Sequence, residues 1–481
     1  MSSIQLSSRK VLFLGYGAVA KCTWNYFDEY FNISPNQVYL VDKSESAFYG
    51  PKIENTHKIV KNVDATNFNE LVDTINFVEG DIIIDLTFST CSYFFISMCL
   101  LKGFHYINTS IEDKDDIFNG SSIDFQQQKV KSIYEKTKKL YPIRSCVLTE
   151  CGQNPGLIQH YVLYALNRLY ALRNPSDPNR DTEFSREVLT SMIHEYQIGS
   201  ILMSERDEIR TNRFMNPDCI YNTWSVGGFI SEAFDHAELV RGTKNSYIQP
   251  NVTEHINHEI MEQYRQYQNN GKEVLFMKQS GLHSTLPSMA PILVDDTIRY
   301  ETFRGQLIHH GEIFELANYF GELAPFMSYV YKSSPYINKS IKCIQEKNNY
   351  TRDEMISYIS DPTHFSVMDN IDMIEDHHTK GYDSIGATFL CGTDNITRMF
   401  WCGSIVSDKD VKNSLFTPTI VQVAAGVLSG LSYILEKDRL PGLYEPVDLD
   451  TTYMITKAKP LLGRFFFEEI TVPFNTDYTY M

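Results

Sequence analysis

The chain has 481 residues, 43% hydrophobic and 21% charged, with a formal net charge of −17. That length suggests two to three domains and a core needing no disulfide or metal staple. The acidic excess, with no Lys/Arg cluster and interleaved aromatics to offset it, disfavours nucleic acid as a partner and favours cations.

The start, "MSSIQLSSRK", is polar and gives no signal peptide. No run reaches the roughly 18 apolar residues of a membrane span, so none is expected. Nine scattered cysteines without a Cys-x-x-Cys fit reduced thiols in a cytoplasm. "KVLFLGYGAVA" then opens with an apolar run, Val11 to Leu14, and breaks into Gly15-x-Gly17-x-x-Ala20. A helical pattern follows, "AKCTWNYFDEYF", and then the strand "QVYLVDK" with Asp42 at its end. Strand, glycine turn, helix, strand and acid are the dinucleotide-binding order. Gly15 allows the tight turn, Gly17 removes the Cβ that would hold a pyrophosphate away, and the helix N-terminus offers unpaired N–H groups. Asp42 can accept from both ribose hydroxyls and repels a 2′-phosphate, which favours NAD over NADP.

The rhythm continues. "NFNELVDTINFV" reads as helix, "GDIIIDLT" as a buried strand, "CSYFFISMCLLKG" as helix, "FHYINTS" as strand, residues 122–140 as a charged helix and "SCVLTECG" as strand. The expectation is an α/β fold: a Rossmann-type doubly wound parallel sheet over 1–171. Ligands in such sheets sit beyond the carboxyl ends of strands. The cofactor candidates are therefore Gly15, Tyr16, Gly17, Ala18 and Val19 in the turn, Asp42, and Thr87, Thr109, Asn154 and Pro155 in the strand-end loops. Asn154 reads alternatively as a helix cap. Cys151 has no visible base partner and is not read as a nucleophile.

From about 172 the rhythm breaks into a polar, proline-bearing connector and then mixed strands and helices. This suggests a second, α+β catalytic and dimerisation domain over 172–410. "YNTWSVGGFISEAF" (221–234) places Trp224, one of three tryptophans, in a glycine-containing segment ahead of Glu232 and Asp235. "FTPTIVQVAAGVLSGLSYILEKD" reads as one buried helix, about 417–436, with Thr417 as N-cap and Pro418 at the first helical position. It is expected to return to the first domain, with the tail 437–481 packing back. His255 with His258, and Asp376 with His377 and His378, lack further ligands at recognisable spacing, so no metal is expected.

The stretches "GYGAVA", "YINTSIE", "CGQNPGLIQHYV", "SERDE", "YNTWSVGGFISEAFDHAEL", "GQLIHHGE", "GYDSIGATFL" and "TIVQVAAGVLSGL" occur in an order that resembles the bacterial homospermidine synthases, a saccharopine-dehydrogenase-like group. The resemblance implies a homodimer with NAD as prosthetic group. It joins putrescine, or the aminobutyl group of spermidine, to a second putrescine, releasing ammonia or diaminopropane. Two departures stand out: Gly227 and Ser89 occupy positions where the family tends to carry acids.

In that chemistry hydride leaves the carbon beside an amine, a second amine attacks the cationic iminium, and hydride returns to the resulting imine. A π-face and fixed carboxylates suit such a cation. The roles implied are Trp224 for the iminium, Glu205 and Glu232 for ammonium ends, and Glu112, Ser89, Glu312 and Asn154 for further substrate contacts. His310 is expected to shuttle a proton with a pKa near neutrality. Each has a plainer alternative: Trp224 as core, "SERDE" as a solvated charge run, Glu232 as a surface acid, His310 as a core histidine. Two rival functions stay open. A saccharopine- or carboxynorspermidine-type dehydrogenase would need an Arg or Lys clamp for a carboxylate, for which Arg206, Arg210, Arg213 and Arg241 are at hand. A non-enzymatic NAD sensor is the other.

Overall fold

The computed structural model describes residues 3–6, 8–88, 90–112, 122–178, 184–211, 220–242, 252–264, 273–351, 354–355, 358, 365–367, 379–393, 395–413, 415–436 and 439–474. The short apolar runs of the first 150 residues become strands β1 (Val11–Leu14), β2 (Val38–Asp42), β3 (His57–Val60), β4 (Ile82–Asp85), β5 (His105–Asn108) and β6 (Cys146–Leu148). They pair in parallel in the order β6-β5-β4-β1-β2-β3, and the late strand Gly442–Tyr444 extends the sheet beyond β6. The helices between them are α1 (Ala18–Tyr30), α2 (Phe68–Thr74), α3 (Ser92–Lys102), α4 (Ile123–Leu140) and α5 (Leu157–Arg173). Strand order reverses between β1 and β4, which opens a crevice at their carboxyl ends. This is the Rossmann-type sheet that the alternating pattern implied.

The second sheet is mixed. Its strands are β7 (Ile198–Asp207), β8 (His236–Arg241), β9 (Glu273–Ser280), β10 (Thr285–Val294), β11 (Thr297–Ile308), β12 (Phe326–Lys332), β13 (Tyr382–Cys391) and β14 (Arg398–Ser407). The order is β9-β8-β12-β7-β13-β14, closed by Arg464–Glu469 beside β14, while β11 pairs with both β12 and β10. Only β12 and β7 run parallel among these neighbours; the rest are antiparallel. Of this half's helices, two bear on the site, α6 (Val226–Phe234) and α7 (Gly311–Phe320).

Helix α8 (Pro418–Leu435) joins the two sheets. It packs on α1, β5 and β6 on one side and on β13 and β14 on the other. Its Thr417 cap accepts the Ile420 N–H at 3.2 Å, and Pro418 stands at the first turn. The helix has 18 residues and is apolar enough to cross a membrane by length and composition, which corrects the expectation that no stretch comes so close. In this fold 89% of it is buried. A helix pressed between two sheets must be apolar all round, and that accounts for the composition.

Candidate active site

The site begins with the alternation of β7. All ten of its residues are buried, so "SERDE" is not a solvated face. Successive side chains point to opposite faces of a strand. Glu205 therefore lies beside Tyr331 of β12 and Ile385 of β13, while Asp207 lies beside Asp383. Arg206 points the other way, where it pairs with Glu208 at 2.9 Å and Glu301 at 2.6 Å. One strand thus delivers its acids to the side facing the first domain and its arginine to the back.

Between that face and the carboxyl edge of the parallel sheet lies a cavity of about 220 Å³. The first domain contributes Val19 from α1 and the loops Leu86–Phe88, Thr109–Glu112 and Glu150–Pro155; the second contributes Glu205, Trp224, Glu232, Asp235, His310, Tyr329 and Tyr331. Five carboxylates line it: Glu112, Glu150, Glu205, Glu232 and Asp235. Among the described residues no Lys or Arg does.

Glu205 Oε2 accepts from Asn154 Nδ2 and from the Tyr329 hydroxyl, each at 2.8 Å, and Asn154 also meets that hydroxyl. Its Oε1 is buried without a partner among the described residues, as is Oε2 of Glu232. Trp224 Nε1 donates to the Tyr331 hydroxyl at 3.1 Å, which fixes the indole at the cavity edge. The His310 ring stacks on Tyr329 with centroids 3.8 Å apart and planes 3° from parallel. Its Nε2 stands 3.4 Å from Glu232 and its Nδ1 3.2 Å from Glu312.

Burial dominates the electrostatics. It raises the carboxyl of Glu205 to about 7, against the Tyr329 and Asn154 hydrogen bonds, and that of Glu112 to about 7, against Ser110. Glu150 goes to about 8 for the same reason, against the Gln127 bond. Burial would lower the His310 pKa, but Glu312 and Glu232 on either side lift it well above its ordinary value. The near-neutral shuttle expected from sequence is thus replaced by a charged imidazolium clamped between carboxylates. His309, with no such flanking pair, is lowered to about 4 by burial.

The structure gathers Glu112, Glu205, Trp224, Glu232, His310 and Asn154 around one cavity, with Thr87, Thr109, Pro155 and Val19 on its floor. Glu312 is fully buried behind His310, outside the wall. Ser89 lies outside the described residues; Gly227 falls in α6. His255 sits on a short 3-10 turn, and Asp376, His377 and His378 lie outside the described residues. The arginines that a carboxylate clamp would require are taken up elsewhere: Arg206 as above, Arg210 by Glu208 at 3.8 Å, Arg241 by Glu273 at 3.3 Å. Arg213 lies outside the described residues. Sequence reading missed Tyr329, Tyr331 and Glu150. The Tyr-x-Tyr spacing in "FMSYVYK" was the available sign, since period two puts both rings on one face.

The glycine turn lies along the same sheet edge, outside this cavity. Gly15 has φ +79, and a Cβ there would stand 2.8 Å from the Leu86 carbonyl oxygen; a Cβ on Gly17 would meet nothing within 4 Å. Gly17 caps α1 with no side-chain hydrogen bond, which leaves the first-turn N–H groups without a side-chain acceptor at the cap. Asp42 Oδ2 accepts the Tyr16 N–H at 2.9 Å at the end of β2. Open N–H groups, a clear approach and an acid at the second strand fit a dinucleotide.

Residues 11–148 match the family described as the saccharopine dehydrogenase NADP binding domain. The chain is 23% identical to the homospermidine synthase of Mesorhizobium japonicum over 94% of its own length and 88% of that protein's. It is 22% identical to that of Blastochloris viridis, covering 94% and 89%. The crystal structure of the homospermidine synthase of Legionella pneumophila in complex with NAD shares its fold, with a TM-score of 0.76, 22% identity and coverage of 98% and 93%. The resemblance read in the sequence therefore extends over nearly the full length and to the fold.

Proposed function

We propose that this chain is a homospermidine synthase, an NAD-dependent enzyme that joins two amine chains through a transient iminium. The observation that carries it is the cavity wall: five carboxylates, no Lys or Arg among the described residues, and an indole at the edge. Its one imidazolium, His310, is already taken up by Glu232 and Glu312, so such a wall rejects a keto or amino acid, whose carboxylate needs a cation of its own, and accepts a polyammonium rod. That is the feature separating this reading from a saccharopine- or carboxynorspermidine-type dehydrogenase.

NAD would lie along the carboxyl edge from the Gly15–Val19 turn and Asp42 to Thr87, Thr109, Asn154 and Pro155. The Asp42 carboxylate favours NAD although the matching family is described by NADP. The bound cofactor supplies hydride acceptance from the carbon beside an amine and hydride return to the imine. The protein's residues bind and orient. The unpartnered oxygens of Glu205 and Glu232 take ammonium ends, and Glu112 adds negative potential at the sheet edge. The Trp224 face stabilises the substrate iminium while a second amine attacks it and ammonia or diaminopropane departs. His310, held charged between Glu232 and Glu312, orients Glu232 and supports the Tyr329 ring that positions Glu205. We also read the chain as a cytoplasmic homodimer with NAD-binding (1–171 plus α8) and catalytic (172–410) parts; light scattering tests the dimer.

The experiment is incubation with putrescine and catalytic NAD⁺, followed by mass spectrometry and absorbance at the NADH band. The expected result is a triamine formed in excess over cofactor, ammonia released, and no net NADH. Stoichiometric NADH without triamine would move the chain to the simple dehydrogenases. NAD binding with no turnover of any amine would favour the sensor.

A further inference from the structure

Two carboxylates on the cavity wall, Glu150 and Asp235, have no part in the scheme above, and the geometry singles out Glu150. Glu150 follows β6 at the sheet edge, is 3% exposed and holds φ at +55, in the left-handed region. Its N–H donates to Asn108 Oδ1 at 2.9 Å, which pins the turn. Oε2 accepts from Gln127 Nε2 at 2.7 Å, and that amide also reaches the Gly311 carbonyl at 3.0 Å. Oε1 has no hydrogen-bond partner among the described residues, and the residue lines the cavity. A Cβ on Gly311, directly after His310, would stand 2.1 Å from that oxygen. A left-handed backbone, a dedicated amide and a vacated side-chain position together direct a buried carboxylate into a space lined, among the described residues, by no Lys or Arg. Burying such a group is unfavourable unless a ligand cation meets it.

Glu150 also stands apart from the other acids. Glu112 and Glu205 both feel Glu232, whereas the charged groups acting on Glu150 are Glu445, Glu312 and, as the cation, Lys131. A diamine spanning Glu205 and Glu232 leaves Glu150 without a partner; a chain with a third nitrogen does not. Building on the amine-joining reading, we propose that Glu150 is a specificity-determining carboxylate that grips a terminal ammonium of a triamine, telling it from a diamine. The contact is an ion pair, with no covalent change. Burial holds the Glu150 carboxyl up at about 8, so forming the pair near pH 7 expels a proton to solvent.

Titration calorimetry of the NAD-loaded protein, with spermidine and with putrescine in two buffers of different ionisation enthalpy, tests this. At pH 7 spermidine should release about one proton more than putrescine. Glu150→Gln should abolish that excess and lower the spermidine-to-putrescine affinity ratio about tenfold. Equal proton release by the two amines in the wild type overturns the assignment, whether or not the variant folds. So does an unchanged ratio in a folded variant. Wild-type binding of neither amine sinks both this and the amine-joining reading; binding of both without turnover sinks the joining reading alone.

Discussion

At residue 228 a Cβ would lie 2.8 Å from Cζ3 of Trp224, closer than packed carbons approach. The indole rests against the first turn of α6 at that glycine, and its Nε1 is tied to Tyr331 at 3.1 Å. Gly228 is thus a positioning residue: it sets the plane of the ring proposed to face the iminium. Trp224→Ala should cut kcat/KM for triamine formation at least about 30-fold, corresponding to ~2 kcal/mol of cation–π attraction in a desolvated site. Gly228→Ala should lower kcat about tenfold with little change in KM, because the ring tilts while the ammonium anchors stay in place. Steady-state rates with putrescine check both. A Gly228→Ala enzyme with wild-type kcat would remove the ring's orientation from the mechanism. Trp224 was legible in the sequence, since a scarce aromatic beside acids raises the question by itself. Glu150 was not, because its direction depends on Gln127 and Gly311, remote in sequence and brought together only by the fold.

Strand β7 shows how an element divides its work. Glu205 and Arg206 are adjacent and both buried, yet face opposite layers. Glu205→Gln should cost at least about 100-fold in kcat/KM, as for a buried charge partner removed from a cationic substrate. The same variant should melt higher at pH 8, since a neutral amide replaces a carboxylate that burial disfavours. Arg206→Met should do the reverse. It leaves the half-exposed Glu301 without its guanidinium and Glu208 with Lys332 and Arg210 alone, so the protein loses about 1 kcal/mol of stability while the KM for putrescine holds. Thermal melts and initial rates on the two variants separate the faces; parallel losses in both would mean the alternation does not divide them. The parallel strands of the first sheet were legible because short apolar runs recur between helical patterns. The second sheet was not read strand by strand. Its long members draw partners from distant segments, β7 lying between β12 and β13, and local patterning carries no sign of such pairing.

Across the whole molecule buried acids, those of the site with Asp207, Glu238, Glu315 and Asp383 beyond it, set the dependence of stability on pH. Glu112, Glu150 and Glu205 all have carboxyls raised by burial, to about 7, about 8 and about 7, against an ordinary value of 4.5. A group whose pKa is raised on folding lends its full stability below the unfolded value and loses it as pH climbs through the folded one. His310, also raised, follows the same sign from a higher starting point. The exposed acids with lowered pKa, such as Glu70, Asp296 and Glu354, work oppositely, but only as pH falls below 4.5. The buried histidines His105, His160 and His309, lowered by burial to about 4, about 3 and about 4, also work oppositely, but only as pH falls below about 7. Between pH 7 and 8.5 the contributions therefore add in one direction, each up to about 1.4 kcal/mol per pH unit while its group titrates. With NAD saturating and no amine present, Tm should fall across this range. Putrescine binds only the folded state and neutralises the charge whose burial is unfavourable. It should therefore raise Tm more at pH 8 than at pH 6, by an amount that grows with the logarithm of its concentration. Scanning fluorimetry over pH and putrescine concentration measures both trends. A Tm that holds level or rises toward pH 8.5 without amine would mean that the carboxylates are already compensated within the protein, and a site so compensated has no need of a polyammonium substrate.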